Sequence, residues 1–378
     1  MIDNSDNSSN SDNNSNSNNS NDSKVSKYSL NELDEDGEMR KINLPQSTIL
    51  AVSSSPHIKN EERTSTIMAS VILALMPALA WGVFIFGWRV LSLTLVSVIS
   101  CVLFELLYQK IMKKPVTISD LSAVVTGILI VFNIPVNTPM WAPVIGAAFA
   151  IIIVKQLFGG IGKNIVNPAI AARIFMFLSF NFMAVFQDIN ADKLPALKID
   201  VSMDAVIGAT PLVFLKEGGT PDISILEMVL GQRGGSIGEI SALLLLAGGI
   251  YLMIRKIITW HIPLTFIGVV AVVSFLAPNS ADSTVFVIYQ VLSGGLFLGA
   301  IFMATDYATS PITTSGKMIF GIGCGLITLF IRYFGAYPEG VSFAIMIMNL
   351  FVWYIDKLTK PVKFGGISSA KKRKQSDK

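Results

Sequence analysis

Between residues 65 and 356 the chain repeats one pattern: an apolar run, then a short polar break. Roughly 20 apolar residues in a helix rising ~1.5 Å each match a hydrocarbon core ~30 Å thick. Ten such runs are present, at 65–86, 89–110, 120–135, 141–159, 167–186, 240–257, 260–278, 285–304, 317–335 and 340–356. Lipid offers no hydrogen bonds, so a segment that bonds to itself, the helix, is favoured there. The pattern predicts an all-α polytopic membrane protein of about ten transmembrane helices. The third run is short and ends in NIPVNTP, where Pro135 and Pro139 forbid a regular helix, so a broken or re-entrant piece is expected. Charge agrees: only 15% of residues are charged and the mean hydropathy is +0.58, whereas soluble domains carry about 25% charged residues.

Residues 1–50 read as a disordered low-complexity tail and linker. The first 23 residues are almost all Asn, Ser and Asp, too polar to build a core, and the acidic stretch ELDEDGE at 32–38 reads as solvated linker. The start lacks both the basic and the apolar region of a signal peptide. Residues 51–366 form the membrane domain, and 367–378 a basic cytoplasmic tail ending KKRKQSDK. With two cysteines and two histidines, Cys101, Cys324, His57 and His261, the chain falls short of the ligands of an iron–sulfur cluster or structural zinc, so no metal site is expected.

Orientation follows from lysine and arginine in the short loops. With the N-terminus in the cytoplasm, the inner segments hold Lys59, Arg63, Lys110, Lys113, Lys114, Lys155, Lys163, Arg255, Lys256 and Lys317, while the short outer loops hold Arg89 and Arg332. An even number of spans puts both termini in the cytoplasm and the long 187–239 loop outside. Five spans per half make the halves antiparallel, as in inverted repeats, with Gly/Pro-interrupted segments in each: GGIGKNIVNPAIAARIF before span five and YPEGVSFAIMIMNLF leading into span ten.

Inside the outer loop lies DAVIGATPL, residues 204–212. Taken alone it is a turn, with Gly208 free in its dihedrals and Pro211 ending what precedes it. It belongs, however, to a series: VSSSPHI, GGIGKNIVNPAIAARIF, DAVIGATPL, GGSIGEISALLLLAGG, FMATDYATSP and GAYPEGVSFAIMIMNLFVWYID, in that order from about residue 51 to 366. The series resembles the family containing the D subunit of the Rnf complex and the B subunit of the sodium-pumping NADH:quinone oxidoreductase, with ATDYATSP and AYPEGV closer to the Rnf branch.

That resemblance implies a cofactor. In the family a flavinyltransferase recognises Asp-x-x-(Ser/Thr)-Gly-Ala-Thr and attaches FMN through its phosphate to the final threonine. Asp204, Gly208, Ala209 and Thr210 match; Ile207 stands where Ser or Thr is usual. A threonine hydroxyl can form the phosphoester, and its small neighbours leave an enzyme room to reach it. The resemblance also implies a second, non-covalent flavin, riboflavin, near polar membrane segments, for which Asn167 and Arg173 are candidates. A charge inside a span costs about 2.5–3.5 kcal/mol on insertion scales and so marks a candidate by default; the plain alternative is an arginine reaching the inner interface.

Glu239 opens span six on the outer side and Asp306 closes span eight on the inner side, which makes them candidates for the mouths of a cation path. Glu105 and Asp120 lie near the inner ends of spans two and three, where Lys110 and Lys114 offer local counter-charges.

The function implied is a flavin-carrying membrane subunit of an Rnf-type oxidoreductase complex, coupling electron transfer between ferredoxin and NAD⁺ to Na⁺ or H⁺ translocation. Its location would be the bacterial cytoplasmic membrane, in lipid. Its partners would be the other subunits, among them a second flavin subunit and iron–sulfur subunits; nothing points to nucleic acid. The alternative is an inverted-repeat solute transporter or channel without a redox cofactor, and only the flavin loop separates the two.

Overall fold

A computed structural model describes residues 63–184, 211–219, 221, 223–231, 235–239, 241–279, 282–335 and 339–361, with the strands at 30–33 and 39–42. The chain divides into two compact units, Met1–Asn60 and Glu61–Lys378. In the first, β1 (Leu30–Leu33) pairs antiparallel with β2 (Met39–Ile42), Leu30 opposite Ile42 and Leu33 opposite Met39. Backbone pairing therefore occurs within the segment expected to be tail and linker.

The second unit is helical: α1 (Thr64–Phe86), α2 (Trp88–Ile111), α3 (Ser122–Phe132), α4 (Trp141–Gln156), α5 (Pro168–Ser179), α6 (Pro211–Lys216), α7 (Ile225–Leu230), α8 (Ala242–Ile254), α9 (His261–Leu276), α10 (Ser283–Leu292), α11 (Leu296–Met303), α12 (Thr314–Phe334) and α13 (Val341–Thr359). Four of them, α1, α2, α12 and α13, are long and apolar enough to cross a membrane, and the α10–α11 pair, bent by 58° at its break, makes a fifth if counted as one span.

Every run expected to span contains a helix, but α3, α4, α5, α8 and α9 have only 10–17 residues each. At ~1.5 Å per residue, the 11 residues of α3 reach about half of a ~30 Å core. The causes are local. Asn133 ends α3 just before the prolines. At α5, Pro168 takes the first helical position, and the Asn167 side chain accepts from the amides of Ala169 (3.0 Å) and Ile170 (3.3 Å), so the helix cannot begin earlier.

Between α1 and α2 stands Gly87 alone, at φ +80°, its amide bonded to the Val83 carbonyl at 2.8 Å. One residue links two long helices, at a positive φ that glycine reaches without a Cβ clash.

The faces of α2 show how these helices are sorted. Leu95, Ile99, Leu103 and Leu107 form an exposed stripe, while Ser97, Cys101, Glu105 and Gln109 form a buried one. Both repeat every four residues, one helical row each. The polar row faces protein and the apolar row faces outward, the arrangement a lipid solvent selects. α2 packs on α3 and α4, α9 packs on α12, and α12 packs on α13. A separate small core joins α6 and α7 to α10 through Leu212, Leu215, Met228, Phe286 and Tyr289.

Candidate functional site

The buried charges form two networks with a cavity beside one of them. The first is centred on Glu105, fully buried in α2. Lys155 Nζ donates to both of its carboxylate oxygens, at 2.8 and 2.9 Å, and to Ser122 Oγ at 2.6 Å. Gln156 Nε2 donates to the same carboxylate at 2.7 Å. Lys155 and Gln156 are neighbours in sequence, and an α-helix would point them ~100° apart. Their segment, Phe149–Gln156, is π-helical, and its wider turn narrows that angle; such turns mark functional segments often. The Ser122 hydroxyl passes the chain on to Asp120 Oδ1 at 2.6 Å. Gln109 bridges Glu105 (3.4 Å) and Thr117 (2.9 Å).

The sequence expectation placed Lys110 and Lys114 against Glu105 and Asp120. The structure corrects it: Lys110 is exposed, Lys114 reaches the Gln156 carbonyl at 3.5 Å, and Lys155, counted as a loop cation, is 2% exposed. Two buried ions at contact distance hold each other's charge where water cannot.

Beside this network lies a cavity of about 100 Å³ with apolar walls from α1, α3 and α8 and a polar side formed by Ser122, Lys155, Asn164, Asn167, Thr305 and Asp306. The Asn164 Oδ1 atom is buried and accepts no hydrogen bond from the described residues. The Asn167 side chain donates to the Met303 carbonyl at 3.3 Å; with its oxygen and nitrogen exchanged, the Asn349 side chain donates to the Thr309 carbonyl (3.0 Å) and accepts from the Asn167 backbone N–H (3.1 Å). Asp306 stands past the end of α11, in the loop before α12. Burial pushes its carboxyl above the usual carboxylate range, offset in part by the Ala308 amide and the Thr309 hydroxyl at 3.3 Å.

The second network is centred on Arg173, buried in α5. It donates through one terminal nitrogen to Asn133 Oδ1 at 2.9 Å and through the other to Glu339, and that second nitrogen lies 3.8 Å from Glu239. Asn133 Nδ2 in turn reaches the Leu129 carbonyl (2.6 Å) and Met303 Sδ (3.6 Å). Glu239 comes from the 3₁₀ turn Ile237–Glu239 before α8, and Glu339 from just before α13. Residues six apart along α5 are separated by ~9 Å, so Asn167 and Arg173, expected to share one polar site, are divided between the cavity and this network. Glu239 and Asp306 are likewise apart, Glu239 on Arg173 and Asp306 on the cavity.

A third buried cation works on backbone. Arg332 of α12, expected in an outer loop, is 2% exposed and donates to the Gln290 carbonyl (2.6 Å), Gln290 Oε1 (2.9 Å) and the Ser293 carbonyl (2.9 Å). It thereby satisfies the carbonyl end of α10 at the break, where a positive charge suits the helix dipole. Arg89, the other outer-loop arginine, donates to the carbonyls of Val136 (2.8 Å) and Thr138 (3.1 Å) in the turn after α3.

The stretch expected to carry flavin, Asp204, Gly208, Ala209 and Thr210, lies outside the described residues. Sequence reasoning passed over Lys155, Gln156, Asn133 and Glu339. The four-residue recurrence of polar side chains in α2 was the one signal that pointed toward the first network.

The model of the NQR2, RnfD, RnfE family matches residues 51–365, which takes in every helix from α1 to α13. The chain belongs to the NQR2, RnfD, RnfE family. Among the similar family members is the D subunit of the Na⁺-translocating ferredoxin:NAD⁺ oxidoreductase complex of Acetobacterium woodii, 45% identical over 326 residues, 85% of this chain and 97% of that protein. The D subunit of the proton-translocating ferredoxin:NAD⁺ oxidoreductase complex of Clostridium ljungdahlii is 40% identical over 333 residues, again 85% and 97%. The D subunit of the ion-translocating oxidoreductase complex of Stutzerimonas stutzeri is 38% identical over 324 residues, 79% and 91%.

Proposed function

We propose that the chain is the membrane subunit of an Rnf-type complex that couples electron transfer between ferredoxin and NAD⁺ to translocation of Na⁺ or H⁺. The observation that carries this reading is the near end-to-end match to the D subunits of such complexes. Two relatives at similar identity are named for different ions, so the choice of cation is left to measurement.

In this reading the chain carries FMN as a phosphoester on Thr210, placed there by a flavinyltransferase, and the other subunits, including iron–sulfur and second flavin subunits, deliver and remove electrons. The bound flavin supplies the redox chemistry. The chain's own residues do the rest. Around the inner cavity the walls are mostly apolar. The buried Asn164 Oδ1 offers an acceptor to a ring N–H, and Asn167 and Asp306 stand on the same polar side. At about 100 Å³, however, the cavity is below the ~300 Å³ at which small-molecule sites begin, so it does not fit a whole riboflavin as a second, non-covalent flavin.

For topology, we read the shorter helices as spans completed by their flanking segments. This gives ten spans in two inverted halves, in the bacterial cytoplasmic membrane, with both termini cytoplasmic and the flavin loop outside. Glu239 and Asp306 would then stand toward opposite mouths of a cation path.

The test is fluorescence of the denatured protein band in a gel under ultraviolet light. A covalent flavin survives denaturation, so the wild-type band glows and the Thr210→Ala band, present at a similar amount, is dark. A dark wild-type band would instead favour a transporter or a simple anchor.

A further inference from the structure

Both ends of the stretch from Leu212 to Glu239, which follows Thr210, arrive at the same two residues, Gly294 and Gly295, in the break between α10 and α11. These glycines have φ of +68° and +63°, the left-handed region, and it is this pair that turns the span by 58°. On one flank, Leu212 lies two residues beyond Thr210, in the first turn of α6. Its Cδ1 occupies the space a Cβ on Gly294 would need, and Arg332 stands 2.9 Å from that same point. On the other flank, Glu239 closes the segment before α8, and its Oε1 lies 3.0 Å from where a Cβ on Gly295 would be. The adjoining helix end is pinned, since Arg332 holds the Gln290 and Ser293 carbonyls.

α6 therefore rests directly on bare backbone, with no side chain between. Leu212 is 3% exposed, and it shares its small core with Phe286 and Tyr289 of α10. Beyond the break, α11 runs to Met303, whose sulfur and carbonyl are bonded by Asn133 and Asn167 at the two sites described above. A displacement of Leu212 is thus passed by hard contact to the bent span, and by that span to both the Arg173 network and the cavity.

We propose that Gly294 and Leu212 are positioning residues: the seat of Leu212 on Gly294 sets how α6, the helix that follows Thr210, sits on the bent span, and couples cation movement to electron transfer. This rests on the reading that Thr210 carries flavin in an ion-translocating complex. Neither residue touches the reacting atoms, so the proposal predicts a change in coupling and not in chemistry.

The test uses the purified whole complex in lipid vesicles, measuring NAD⁺ reduction by reduced ferredoxin, cation uptake, band fluorescence and the melting temperature together. Gly294→Ala puts a methyl group where Leu212 sits. The expected result is a fall of threefold or more in cations moved per electron, with flavin fluorescence retained. Leu212→Ala in the Gly294→Ala background removes the overlap and is expected to restore at least half of the lost ratio, although the strained φ remains. Leu212→Phe makes the same overlap from the other side and substitutes for Gly294→Ala if that variant does not assemble.

An unchanged ratio in Gly294→Ala, or in Leu212→Phe where that replaces it, overturns the proposal. So does a lowered melting temperature with an unchanged ratio, which would make the seat merely structural, and so does a lost ratio that Leu212→Ala leaves unrestored. A wild-type complex that shows no band fluorescence or no cation uptake overturns the functional reading instead.

Discussion

The Glu105 and Arg173 networks are both buried and both ionic, but they are built oppositely. Around Glu105 every partner comes from α2, α3, α4 and the connection between α2 and α3, all in the first half of the chain. A single ammonium sits on both carboxylate oxygens. Arg173 draws instead on the end of α3, the turn before α8 and the start of α13, partners 40 and 166 residues away for Asn133 and Glu339. One guanidinium nitrogen is shared between two carboxylates, in contact with Glu339 and 3.8 Å from Glu239. Burial alone does not say what a charge does. The first network is closed on itself and fastens a wall of the cavity. The second ties together elements from both halves, so relative movement of the halves must change it.

The contrast breaks first at Lys155. Lys155→Met leaves the Glu105 carboxylate buried without its ammonium, and removing one partner of a buried pair costs about 3–5 kcal/mol. We expect little assembled protein in the membrane fraction, and recovery when Glu105→Gln is added, because an amide of the same shape needs no counter-charge. A lone Lys155→Met with normal yield would show that the first network is not closed.

Glu339→Gln should be milder. It removes a charge-assisted hydrogen bond worth about 1.5–3 kcal/mol, yet leaves Arg173 with Asn133 and with Glu239 nearby. Thermal unfolding of the purified complex should shift less than for Lys155→Met. A shift as large as for the Lys155 variant would mean that the two networks are equally rigid.

Glu239→Gln removes a carboxylate that lies 3.8 Å from the Arg173 guanidinium. We expect the complex to assemble, because the amide keeps the side chain's shape and Arg173 keeps Glu339 and Asn133. Cation uptake per NAD⁺ reduced should nonetheless fall, and Asp306→Asn should lower the same ratio from the cavity side. Unchanged ratios in both variants would remove these carboxylates from the path.

The sequence by itself determined the solvent and the family. Apolar runs of the right length require lipid whatever their packing, and the capping of α5 by Asn167 and Pro168 is local chemistry, readable in place. The six ordered motifs carried the resemblance that the family match then bore out. Hydropathy could not show that several runs hold only short helices, because a residue before a proline or a capped start is as apolar as a helical one. Only the tertiary structure decided the charges. Lys155 looked like a loop cation and Arg332 like an outer-loop cation, and both are almost wholly buried. Positive residues near run ends are common to loops and to buried pairs, and what distinguishes them is a partner 50 residues away for Lys155 and 42 for Arg332. Such partners meet only when helices pack, and packing in lipid is chosen by shape and by the need to satisfy buried polar groups; the polar row of α2 marks which face is buried but not which distant residue will meet it.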